Sequence, residues 1–277
     1  MSASAAGAVR NVNALPLVFG LDDRSDVLVE TTRRVVALFE QGQLDVALLP
    51  AIEVARHEGW EVLLDCGVVT APAASGLGTS TILLVRTKPI DQVRKVRIDE
   101  GARAGGALAQ ILLRRFWNRP SDTLEIEIGE VAPGQVPDDA DAVVVGGELG
   151  LCWPGFDPMT GKFGSPTATA STDEPPETTA DKEESSESEN ALEIDDLGAV
   201  WQRWTGFPFV TLVWAAREGR DLGHWHQTLA RASRSGLARL DEVASYAARH
   251  LPIAVDPDFL ASFFRSRVHR SFDREAL

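Results

Sequence analysis

Hydrophobic and polar positions along the chain follow two periods, one near 3.6 residues and one close to continuous. Leu197, Val200, Trp201 and Trp204 recur at i, i+3, i+4 and i+7, which predicts an amphipathic helix over 197–204. Thr205-Gly206 then stops it, Gly206 suiting the left-handed position that closes a helix. Residues 207–214, Phe-Pro-Phe-Val-Thr-Leu-Val-Trp, form an apolar, β-branched and aromatic run of the length of a buried strand. The tryptophans at 201, 204 and 214 predict a large buried contact, since each ring can bury on the order of 200 Å².

The same patterning organises the rest. Residues 8–13 read as a first strand, and Pro16 opens a helix or turn. Over 27–41, Leu28, Thr31, Val35, Leu38 and Phe39 share one face, predicting a helix that Gly42 breaks. A buried strand over 44–49 ends at Pro50, and 52–56 starts another helix. Strand patterns follow at 60–65, 66–71, 79–86, 95–99, 123–128 and 142–145, and helical ones at 105–115, 221–234, 237–250 and 257–269. Alternation of this kind specifies an α/β chain with mainly parallel sheets. The order suggests lobe one from 1–86 and 205–277, with lobe two, 87–204, inserted in it. That is the two-lobed, type II periplasmic-binding-protein-like arrangement, with a ligand cleft between lobes at the carboxyl ends of strands.

Composition changes the picture in one place. The chain's 277 residues carry a formal charge of −14, yet 173–196 alone hold eleven acidic residues and one lysine. Their net −10 leaves −4 for everything else, which argues against nucleic acid or an anionic membrane as partner. Residues 161–195, rich in Ser, Thr, Pro and Glu, carry too little apolar surface to offset the entropy of ordering, and a disordered surface insertion is expected there. Cys66 and Cys152 are far apart with no Cys-x-x-Cys spacing, as expected of reduced core thiols. Neither a signal peptide nor an apolar run of spanning length is visible, and a cytoplasmic protein is expected.

Candidate chemistry gathers at strand ends. Asn13 closes the first strand in Arg-Asn-Val-Asn-Ala-Leu-Pro-Leu, where an amide can donate to and accept from a ligand, or simply cap the next turn. After Pro50-Ala51 a helix start turns its free N–H groups outwards, a ready anion site. Gly76-Leu77-Gly78-Thr79-Ser80-Thr81 looks like a phosphate loop but lacks the lysine and precedes a strand. Arg103, Ala104 and Gly105 open the helix after the 95–99 strand, and Gly147-Glu148 follow the 142–145 strand. His224 and His226 sit i, i+2 at a helix start and cannot face one metal, so no metal site and no cofactor are expected.

The run Trp-Gln-Arg-Trp-Thr-Gly-Phe-Pro-Phe-Val, ending Trp-Ala-Ala-Arg, resembles the chorismate dehydratases of the futalosine route to menaquinone. So does Gln43-Leu-Asp-Val-Ala-Leu-Leu-Pro-Ala-Ile-Glu53. The resemblance implies that Asn13 lies in the active-site cleft, with Asn11, Pro50, Ala51, Arg103, Ala104, Gly105 and Gly147 beside the substrate. It also puts Thr81, or else Ser80, at a serine of the lobe crossover. Ala51, Ala104 and Gly105 replace hydroxyl residues of the family, and Glu148 replaces an Asp. The implied reaction is loss of water from chorismate, a dicarboxylate, to give 3-[(1-carboxyvinyl)oxy]benzoate. Either Glu148 or the substrate's own carboxylate takes the proton. The substitutions leave a second expectation, a binding protein of the same fold that no longer turns its small carboxylate over; a third is the later lyase of the same pathway. Oligomeric state is not legible.

Overall fold

A computed structural model describes residues 5–21, 24–70, 81–157, 162–163, 192–251 and 254–269. In chain order the elements are β1 (Ala6–Val9), a 3-10 turn (Val12–Ala14), α1 (Leu15–Val18), β2 (Val27–Glu30), α2 (Thr32–Glu40), β3 (Val46–Pro50), α3 (Ala51–Arg56) and β4 (Trp60–Thr70). Next come β5 (Leu83–Arg86), β6 (Lys95–Asp99), α4 (Arg103–Ile111) with a π turn (Leu112–Phe116), β7 (Glu125–Gly129), β8 (Ala142–Val145) and α5 (Gly147–Leu151). The short β9 (Phe156–Asp157) and β10 (Lys162–Phe163) precede β11 (Glu193–Asp196), α6 (Leu197–Thr205) and β12 (Phe209–Arg217). Helices α7 (Trp225–Ala238), α8 (Leu240–His250) and α9 (Pro257–Arg267) and the short β13 (Val268–His269) complete the series.

Two sheets carry the two lobes, one of six strands in the order β13-β4-β12-β3-β1-β2, the other of five in the order β11-β5-β8-β6-β7. Each has three parallel strands at one end, β3-β1-β2 in the first and β8-β6-β7 in the second. The expectation of mainly parallel sheets needs correction: β4, β12 and β13 join the first sheet antiparallel, and β5 and β11 the second. The chain crosses between the sheets after β4 and returns through β11, α6 and β12. β5 lies within the 1–86 expected for lobe one, yet it hydrogen-bonds in the second sheet, so the crossover precedes it.

Local differences have local causes. Residues 27–30, expected to open a helix, are instead β2, because Val27-Leu28-Val29 pairs in parallel register with β1. Thr31, expected inside the helix, is its N-cap, its hydroxyl accepting the Arg34 N–H at 3.4 Å. The acidic insertion lies mostly outside the described residues, but its end does not. Glu193–Asp196 is a strand, with Glu193 and Asp195 at 2.6 and 3.0 Å from the buried Arg86 guanidinium on the neighbouring strand. This arrangement compensates a charge that would otherwise be costly to bury.

Gly206 closes α6 at φ +77° as expected, and β12 runs through the first lobe's core with Trp214 fully buried. The single buried tryptophan contact expected of 201, 204 and 214 does not form. Trp201 is half-buried and Trp204 is 41% exposed, since α6 packs Leu197 and Val200 on the second lobe and turns Trp204 to its rim. Among the described residues no helix is long and apolar enough to cross a membrane.

Candidate functional site

β1 ends where the chain must turn towards the second lobe, and the two asparagines there divide the work. Asn11 caps the 3-10 turn, its Oδ1 accepting the Asn13 N–H at 3.0 Å. Asn13 is thereby freed from capping, and its Nδ2 donates to the Thr81 hydroxyl at 2.9 Å. Thr81 is buried immediately before β5, so this bond ties the first strand of one sheet to the crossover into the other. Asn13 Oδ1 is also buried, and among the described residues nothing donates to it. An unmet acceptor in such a place is costly unless a ligand or water supplies the donor.

Around this pair lies a cavity of about 40 Å³. Its lining includes Thr32, the first residue of α2, Pro50, the N-cap of α3, Ala102, the N-cap of α4, and Gly146, the N-cap of α5. Four helix starts therefore converge on one small volume. In α3, α4 and α5 no side chain caps the end. Unmet N–H groups and the positive end of each peptide dipole favour an anion there. No Lys, Arg, Asp or Glu belongs to the lining, so the field is one of backbone dipoles.

Small residues permit the convergence. A Cβ at Gly105 would stand 2.6 Å from Ile82 Cγ2, and one at Gly147, where φ is +57°, 2.9 Å from Asn11 Nδ2. A Cβ at Gly150 would meet the Thr81 carbonyl oxygen at 1.7 Å, so α5 packs backbone to backbone on the crossover. On the other lobe β12 shifts register between Val210 and Leu212, and the intervening Thr211 lines the cavity while its hydroxyl donates to Val68 O at 2.9 Å. Bulges of this kind re-aim a strand beside a site.

Of the residues singled out from sequence, Asn11, Asn13, Pro50, Thr81, Ala104, Gly105 and Gly147 line this cavity. Ala51 instead packs against Val69 and Val213. The Arg103 guanidinium lies 2.9 Å from Glu53 Oε1, away from the lining, and holds α4 to α3 across the lobes. Glu148 lines a different, larger cavity, and Ser80 lies outside the described residues. Burial pushes the Glu148 carboxyl above the ordinary range, against the N–H groups of Glu148 itself and Val12 that favour its charged form. Burial likewise pushes the nearby Cys152 thiol up to about 11, so it is no nucleophile at neutral pH.

Thr32, Gly101, Ala102, Gly146 and Thr211 also line the cavity and were not legible beforehand. The Thr31-Thr32 pair after a β-branched run was the available signal for a helix cap. Thr211 sits inside an apolar strand and gave none.

Solved structures share this architecture. Protein AF1704 from Archaeoglobus fulgidus superposes with a TM-score of 0.60 at 14% identity, over 96% of this chain and 88% of that one. The periplasmic aliphatic sulphonate binding protein SsuA from Escherichia coli gives 0.55 at 12% identity, over 99% and 87%. The ligand binding component of an ABC-type import system from Staphylococcus aureus gives 0.51 at 11%, over 97% and 84%. These likenesses establish the two-lobed periplasmic-binding-protein-like fold. A family model described as menaquinone biosynthesis matches residues 5–159 and 183–277, leaving out residues 1–4 and 160–182, the latter almost wholly within the acidic insertion. The chain belongs to the menaquinone biosynthesis family.

Proposed function

We propose that the protein is a chorismate dehydratase, a carbon–oxygen hydro-lyase that converts chorismate to 3-[(1-carboxyvinyl)oxy]benzoate in the cytoplasm. The observation that carries this reading is the convergence of four helix starts on the Asn13–Thr81 pair. A dicarboxylate fits such a place, because backbone dipoles bind carboxylates without the tightly held countercharge of a lysine or arginine. Family membership narrows the carboxylates to those of menaquinone biosynthesis.

In this reaction the ring loses the C4 hydroxyl and the C3 proton as water, and aromatisation supplies the driving force. The protein's share is orientation and stabilisation of charge on the departing oxygen. Thr81 is the neutral donor placed for that, its hydroxyl oxygen accepting from Asn13 while its O–H can turn to the substrate, and Asn13 Oδ1 can accept from the substrate's hydroxyl. Glu148 opens onto the larger cavity, whereas Asn13 lines the smaller. The substrate's own side-chain carboxylate is therefore the better placed proton acceptor. A cavity of about 40 Å³ has room for water rather than chorismate, so the two lobes part to admit it.

The second reading is a carboxylate-binding protein without turnover, favoured by Ala104 and Gly105, which leave α4's first turn with no hydroxyl. Incubating the purified protein with chorismate and separating the products by chromatography decides between them. The benzoate product is expected. Chorismate that binds but returns unchanged would establish the second reading.

A further inference from the structure

Behind the Asn11 turn lies a second cavity of about 620 Å³, sharing only Asn11 with the crossover cavity. Its size is that of a small-molecule site. Its chemistry is also different, being made of side chains. Phe19 and Tyr246 meet edge to face, centroids 6.1 Å apart, and His250 stacks on Tyr246 at 4.1 Å. Leu15, Val29 and Leu251 complete apolar walls. Arg10, exposed at the end of β1, is a lining residue whose side chain makes no ion pair among the described residues.

We propose that this cavity is a second ligand site, selective for an aromatic monocarboxylate whose carboxylate meets Arg10 and whose ring lies against Phe19 and Tyr246. A guanidinium at the mouth of an aromatic pocket matches a planar carboxylate in charge and geometry. An aliphatic anion would forgo the edge and face contacts that the rings offer. Glu148 lines the same cavity within electrostatic reach of Arg10, and burial shifts its carboxyl towards the protonated form, in which it can donate to the ligand's carboxylate. The inference stands whether or not the protein dehydrates chorismate, because Arg10, Phe19 and Tyr246 take no part in the crossover cavity.

Calorimetric titration of the intact protein with benzoate, benzamide and cyclohexanecarboxylate tests it. Benzoate is expected to bind more tightly than both others. Arg10→Gln should weaken benzoate roughly tenfold or more, the loss of one charge-assisted hydrogen bond. Tyr246→Leu should remove the preference over cyclohexanecarboxylate. Asn13→Ala should leave benzoate binding as in the parent, which separates this site from the crossover. Arg10 is exposed, so its variant should keep the parent melting temperature. Benzoate affinity unchanged in Arg10→Gln, or lost in Asn13→Ala, would overturn the proposal, as would no measurable binding to the parent.

Discussion

The two lobes contribute to the crossover cavity in opposite currencies. The first lobe offers side chains, with Asn11, Asn13, Thr32 and Thr211 all lining it. The second offers backbone, through Gly101, Ala102, Ala104, Gly105, Gly146 and Gly147. The crossover residue Thr81 joins them by its bond to Asn13. Each lobe turns two helix starts on the cavity, α2 and α3 from the first and α4 and α5 from the second, so the field is shared. Side chains on the first lobe are expected to set orientation, while the small residues of the second supply space. Substitutions on the second lobe act by adding atoms, those on the first by removing them.

Around the crossover cavity, the largest effect should come from adding one atom to the second lobe. Gly150→Ala places a Cβ against the Thr81 carbonyl oxygen, a backbone atom that no rotamer change can move. A loss of about 3 kcal/mol is expected, measured by urea unfolding, together with loss of turnover as Thr81 leaves Asn13. An unchanged midpoint would mean that α5 and the crossover are looser than their packing indicates.

Asn13→Ala removes a donor from the first lobe without opening an apolar cavity. Turnover should fall roughly a hundredfold, the scale of one oriented donor, while stability is kept. Equal turnover in parent and variant would remove Asn13 from the chemistry.

The Arg103–Glu53 pair sharpens the contrast, because it joins the lobes outside the cavity. Glu53's side chain is 5% exposed and Arg103's 33%. Arg103→Ala should cost about 2 kcal/mol, less than a wholly buried pair because water reaches the arginine. Adding Glu53→Gln should recover much of that, by a double-mutant cycle. Were Arg103 a substrate ligand instead, its loss would raise KM and leave the midpoint alone.

A smaller effect depends on pH. Burial raises the Glu148 carboxyl, so the native state takes up a proton more readily than the unfolded chain does. Stability from this group is then full below the unfolded glutamate value, about 4.3, and falls as pH rises through the folded one. Glu148→Gln should be more stable than the parent at pH 7, with the gain shrinking to nothing near pH 4. A gain that is constant across that range would place its origin elsewhere.

The smallest effect belongs to the rim of the second lobe. Trp204→Ala should cost less than about 1 kcal/mol, against about 3–5 for Trp214→Ala in the first lobe's core. Both midpoints come from the same urea titration, and equal losses would contradict the exposure of Trp204.

Trp204 and Trp214 also mark where legibility stopped. Trp204 closes a helical pattern and Trp214 an apolar run, and such patterning shows that a residue faces something apolar without showing what covers it. The α6 helix, its Gly206 stop and the β12 strand follow from local rules and were readable, as were β3, Pro50 and the two-lobed order. Seven cavity residues were legible through motif resemblance, because they sit at strand ends where α/β folds place ligands. Residues 27–30 were misread as helix because pairing with β1 outweighed a helical spacing. The pairing of Arg103 with Glu53, fifty positions away, was not readable, because long-range pairing leaves no trace in local pattern. The sequence by itself determined most of the elements, among them α6 with its Gly206 stop and β12, and the family. The tertiary structure alone decided that four helix starts share one cavity, and that Thr32 and Thr211 join Asn13 there. Convergence of distant segments is a property of packing, to which no stretch of the chain contributes a local signal.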